Sequence, residues 1–187
     1  MGWPLIQPHT PSTSMNTPLQ TQPGNQNIPQ TPHSEAIYYY GLFMIAWSVA
    51  DTVIQAATMN RLGTGAEAAV KDTAGKTFHP RVERLRKLLE QEGDTHREAI
   101  ELLQKFQKMA HRNTLAHGNI IVGVPGQLTF VNYGKGDLEK QTFTAGDLKK
   151  HVGELNDRTV ELQRLLQVTD ADMQLIGDAT LGLAAQV

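Results

Sequence analysis

The chain has 187 residues, with 17 Lys+Arg against 19 Asp+Glu and no cysteine. That length suits one domain with or without a tail, and the lack of cysteine excludes disulfides, thiolate zinc sites, iron–sulfur clusters and a cysteine nucleophile. A formal net charge of −2 does not fit a strongly basic nucleic-acid coat protein.

Residues 1–34 hold seven of the nine prolines and no Asp, Glu, Lys or Arg. Too little apolar surface is present to offset the entropy of ordering, so this segment is expected to be a disordered Pro/Thr/Gln-rich tail. P-x-x-P spacing occurs at Pro8/Pro11 and Pro29/Pro32 without flanking Arg or Lys, which favours a spacer over a proline-motif ligand. Met1 to Ile6 contain no basic residue before an apolar stretch, so no secretory signal is expected, and Ile6 breaks the myristoylation pattern.

The domain is expected over 35–187. Glu35 follows Ser34 at a helix-start composition, and apolar residues then run nearly all round a first helix over about 35–61, as in a buried bundle helix. Its most apolar run, Tyr38 to Ala50, is 13 residues and is closed by Asp51, where a spanning helix needs ~20. No membrane association is expected, and the protein reads as cytoplasmic. Residues 63–78, rich in Gly, Ala and Thr, promise a weak helix at best. Pro80 suits the first turn of a second helix carrying Val82, Leu85, Leu88 and Leu89, which Gly93-Asp94-Thr95 breaks.

A third helix is predicted over about 95–117, where Leu103, Phe106, Ala110, Asn113 and His117 follow at intervals of 3, 4, 3 and 4 and Gly118 terminates. Leu128 to Tyr133 alternate, Gly134-Lys135-Gly136 turns, and Lys140 to Phe143 return, which predicts a hairpin over about 127–143. The fourth helix, to about 167, has the clearest start: Thr144 and Asp147 form a box, with Phe143 and Leu148 at the staple positions. A short helix over about 170–185 is an option. The fold class is therefore all-α, an up-and-down helical bundle with a small β-hairpin inserted before the fourth main helix.

One stretch carries chemistry: His111-Arg112-Asn113-Thr114-Leu115-Ala116-His117-Gly118. Asn113 and His117 are i,i+4 and share a helical face, whereas Arg112 lies about 100° round from Asn113. Arg, a polar residue, a few further positions and His at the end of a bundle helix resembles the HEPN superfamily, with the resemblance covering about 35–167. It implies a helical bundle that forms a homodimer with two motifs face to face. In active members this is a metal-independent endoribonuclease, often in toxin–antitoxin, phage-defence or RNA-processing systems. Other members are non-catalytic modules that bind RNA, nucleotide or a partner protein.

The residue types suit that chemistry. RNA is cut when its own 2′-oxygen attacks phosphorus, so no metal or cofactor is required. An unperturbed histidine titrates near neutrality, so His117 is suited to move the proton of the 2′-hydroxyl or of the leaving oxygen. Arg112 can hold phosphate bidentately and stabilise charge, and Asn113 can orient His117 or bind a phosphate oxygen. A purely structural reading stands beside it, in which Arg112 caps helix carbonyls and Asn113 and His117 form a polar pair.

Supporting residues are fewer. Asp51, the acid inside the apolar first helix, either pairs with Arg112 or lies on a solvent-facing strip. His111 is expected at the surface beside the motif. Lys105, Lys108 and Arg112, at intervals of 3 and 4, align along one face of the third helix leading to the motif, a stripe that suits an RNA backbone or simply solvent. His79, His96 and His151 show no ligand spacing, so no metal site is expected. Tyr38-Tyr39-Tyr40 and Trp47 read as core or dimer surface. An antitoxin or nucleotidyltransferase-like protein is the partner that the resemblance implies.

Overall fold

The computed structural model describes residues 31–107, Met109, Leu115, 118–134 and 137–185. Helix α1, Pro32–Leu62, begins three residues earlier than its sequence predicts. Thr31 Oγ1 accepts from the Ser34 amide at 3.2 Å while Ser34 Oγ accepts from the Thr31 amide at 3.0 Å. Ser34 is thus the third helical residue, closing the capping box, rather than the start of the helix, and Pro32 sits where its missing N–H costs nothing. The helix ends at Gly63, whose φ of 60° is the left-handed conformation glycine adopts freely.

By length and composition α1 is apolar enough to cross a membrane, a correction to the reading of a short apolar run. Asp51 does not end the apolar pattern, because Val53, Ile54, Ala56 and Ala57 continue it and are fully buried. More than half of that apolar window is buried against the rest of the chain, as in the central helix of a core.

The weak segment after α1 proves decisive for direction. It forms α2, Ala66–Thr73, which buries Ala69, Val70 and Thr73 and leads the chain back along α1, with Thr73 Oγ1 donating to Gln55 at 3.1 Å. Helix α3, Phe78–Gln91, then runs the same way as α1: Trp47 packs on Phe78 with centroids 4.5 Å apart, Asp51 pairs with Arg81, and Arg61 meets Glu92 at 3.8 Å. A 3₁₀ turn at Asp94–His96 leads into α4, Arg97–Gln107, which descends from His96–Glu92 to Phe106 beside Trp47.

The predicted hairpin forms as β2, Gln127–Gly134, and β3, Asp137–Thr144. A third strand that the sequence reading omitted, β1, Asn119–Ile121, pairs antiparallel with β2, so the sheet order is β1-β2-β3. Leu128, Phe130 and Phe143 turn inward, and Phe130 lies 5.3 Å from Tyr40, which places the sheet at the N-terminal end of α1.

Helix α5, Ala145–Leu166, has the predicted box: Thr144 Oγ1 accepts from the Asp147 amide at 3.1 Å, and Asp147 accepts from the Thr144 amide at 2.9 Å. It runs beside α1 and in its direction, since Lys149 lies over Tyr39 and Arg61 donates to the Leu166 carbonyl. The optional last helix is real: α6, Asp170–Ala184, is capped by Thr169 and Asp172. The protein is therefore mostly helical, with a small three-stranded antiparallel sheet.

The predicted single helix over 95–117 is not continuous. Helix α4 ends at Gln107, Met109 is not helical, and its amide closes a turn on the Phe106 carbonyl at 3.2 Å. Leu115 is helical again. Phe106 and Leu115 are both buried, yet nine residues put them about 180° apart on one straight helix. The break allows both to face the core.

Candidate functional site

Arg112, Asn113, His117, His111 and Lys108 lie outside the described residues; their immediate frame does not. Leu115, in the middle of the motif, is fully buried, and its carbonyl accepts a hydrogen bond from the Tyr40 hydroxyl at 3.0 Å. Burial raises the Tyr40 hydroxyl above its ordinary pKa, so it stays a neutral donor. Its ring rests on Phe130. Helix α1 thus holds Leu115 through Tyr40, whose ring is in turn supported by Phe130 of β2. The sequence reading named Tyr40 only as one of three tyrosines of core or surface; its partner, 75 residues away, is a tertiary contact without local signal.

Met109, before the motif in sequence, packs against the core, and Gly118, after it, leads into β1. At the end of α4, Gln107 donates to Glu83 at 2.7 Å, tying the last helical residue before the break to α3. Hydrogen bonds from Arg86, and then from Gln107, lower the Glu83 pKa to about 2.

Asp51 is eleven residues beyond Tyr40, roughly 16 Å along the helix axis. Its carboxylate pairs with Arg81 of α3 and accepts from Gln55 at 3.2 Å. With 22% of the side chain exposed, the solvent-strip account does not hold. Asp51 clamps α1 to α3, a role invisible locally because Arg81 belongs to another element; the expected pairing with Arg112 lies outside the described residues. Lys105 is exposed in the last turn of α4. The break at Met109 removes the basis for aligning it with Arg112 on one face.

Among the described residues no group of three or more His, Asp or Glu is placed to hold a metal ion. His96 pairs with Glu92 at 2.7 Å, and the His151 ring meets Phe143 edge-on at 5.8 Å. An open polar depression of about 390 Å³, lined by Asp94, His96, Arg97 and Glu98, lies where α3 passes into α4, away from Leu115 at the N-terminal part of α1. Comparison of the chain with protein-family models, curated proteins and solved structures finds no match.

Proposed function

We propose that the protein is a metal-independent endoribonuclease, acting as a homodimer, whose Arg112 and His117 perform the cut with Asn113 in support. The observation that carries this reading is the anchoring of Leu115. On an ideal helical turn, Asn113 and His117 fall about 160° to either side of Leu115. A turn that buries Leu115 therefore favours presenting that pair away from the core, where a substrate can reach it. A structural polar pair would be better served by the buried face. His117 then moves the proton of the 2′-hydroxyl or the leaving oxygen, and Arg112 holds the phosphate. One helix end does not bring the two side chains into a complete acid–base site, so a two-fold partner supplies the second half.

The competing reading is a non-catalytic HEPN-like interaction module, favoured by the exposed apolar side chains along α1. Labelled RNA incubated with the protein in EDTA separates them. The nuclease reading expects cleavage with EDTA present, no cleavage of the matched DNA, and a roughly 10²–10⁴-fold loss in His117→Ala with helical content unchanged. Arg112→Lys should rescue little, because a point charge does not replace a bidentate fork. Wild-type protein that leaves a broad RNA pool intact would end it.

A further inference from the structure

The two edges of the sheet are guarded unequally. The order β1-β2-β3 leaves one side of β1 and one side of β3 without a partner strand among the described residues. β3 carries Asp137, Glu139 and Lys140, charges of the kind that deter further pairing. β1 has no such guard: from Gly118 to Gly134 there is no charged residue. Ile120 is 42% exposed, and Ile121 and Val122 are each 52% exposed. Apolar side chains stand on both faces of this edge. Ile120 is opposite the buried Phe130 and so faces inward, whereas Ile121 is opposite Thr129 and faces outward. A row of open backbone groups between two apolar faces suits an added strand that is apolar on both faces as well.

We infer that β1 is a docking edge for the N-terminal tip of the same chain, with Trp3 to Pro8 adding a fourth strand beside it. Three features select that occupant. The first is the tether. The chain enters α1 at Thr31, nine residues or about 13 Å before Tyr40, and so at the end of the helix that the sheet closes. The 22 residues from His9 to Gln30 span roughly 25 Å as a flexible coil, enough to bring the tip to β1 and hold it at high effective concentration. The second is the pair Leu5-Ile6, consecutive apolar residues that fall on opposite faces of a strand, as Ile120-Ile121 do on β1. The third is proline phase. Backbone N–H groups alternate sides along a strand, so when Trp3, Leu5 and Gln7 donate toward β1, Pro4 and Pro8 both lie on the outer side, where no donor is needed. The two prolines then guard the new edge, which β1 by itself does not. Pro23 and Pro29 share a phase too, but Gly24, Asn25 and Asn27 between them are poor strand formers.

The inference rests on the sheet edge and does not require the ribonuclease reading. Amide hydrogen exchange, followed by NMR on the full chain and on a chain beginning at Thr31, tests it. In the full chain the amides of β1 that face the free edge should exchange roughly tenfold more slowly than in the truncated chain. The Trp3, Leu5 and Gln7 amides should be protected and that of Ile6 should not. A contact this local opens before the domain melts, so the two chains keep similar melting temperatures. Leu5→Pro removes an inward donor and should abolish the protection at β1, whereas Gln20→Pro, outside the added strand, should leave it, with helical circular dichroism unchanged in both. A peptide of residues 1–10, added to the truncated chain at millimolar concentration, should restore the protection. Amides of β1 that exchange alike in the two chains, or that ignore Leu5→Pro, would overturn the inference. Protection that rises with protein concentration would overturn it as well, because the strand would then come from a second copy.

Discussion

Tyr40 links the candidate motif to the core through one hydrogen bond, from its hydroxyl to the Leu115 carbonyl. Tyr40→Phe keeps the ring on Phe130 and deletes only that donor. The expected cost is about 0.5–1.5 kcal/mol, measured by urea denaturation, and RNA cleavage should fall if Leu115 sets the position of the motif. Glu83 supplies a pH dependence. Its pKa is lowered to about 2 by Arg86 and then Gln107, against about 4.3 for an unperturbed glutamate. A lowered carboxylate pKa means stability that is fully present above the unfolded value and is lost as pH falls toward 2. Stability should therefore decline between about pH 4.5 and 2. Glu83→Gln should flatten that part of the profile, and an acid denaturation curve identical to wild type would refute the assignment.

At the scale of elements, three helices start in the same way. Thr31 with Ser34, Thr144 with Asp147, and Thr169 with Asp172 each form a reciprocal box. In the latter two, backbone hydrogen bonds from Thr144 and Thr169 lower the aspartate pKa values. The first box sets the truncation limit. A chain beginning at Thr31 keeps the cap and is expected to melt like the full protein. A chain beginning at Glu35 loses Thr31, Pro32 and Ser34 and should be less stable by about 1 kcal/mol, read from the shift in denaturation midpoint. Equal stability of the two truncations would show that the box contributes nothing. The third box precedes a helix that exposes Leu175 and Leu181, so its weak amphipathic pattern left α6 unsettled from sequence, and the Thr169–Asp172 cap is the local signal that would have found it.

Across the whole molecule, α1 is the axis: α3 and α5 run with it, α2 and α4 run against it, and the sheet closes its N-terminal end. Leu115 belongs to that closed end through Tyr40, away from the polar depression at Asp94–Glu98. Local rules made much of this legible. Thr144–Asp147, Pro80 and Gly63 mark helix ends through backbone hydrogen bonding, and the alternation of Leu128 to Val131 marks a strand, because those signals act within a few residues. Four features depended on distant partners. The 3-4-3-4 spacing from Leu103 to His117 suggests one helix, but burial of both Phe106 and Leu115 requires a break. Strand β1 has three exposed residues and forms only because β2 offers a ladder. Asp51 is an isolated acid until α2 has turned α3 parallel to α1 and delivered Arg81. Tyr40 is one of three adjacent tyrosines until Leu115 is folded against it. Periodicity and capping are properties of neighbouring residues and survive in the bare sequence, whereas the direction of a helix and the partner of a buried polar group are set by which surfaces meet.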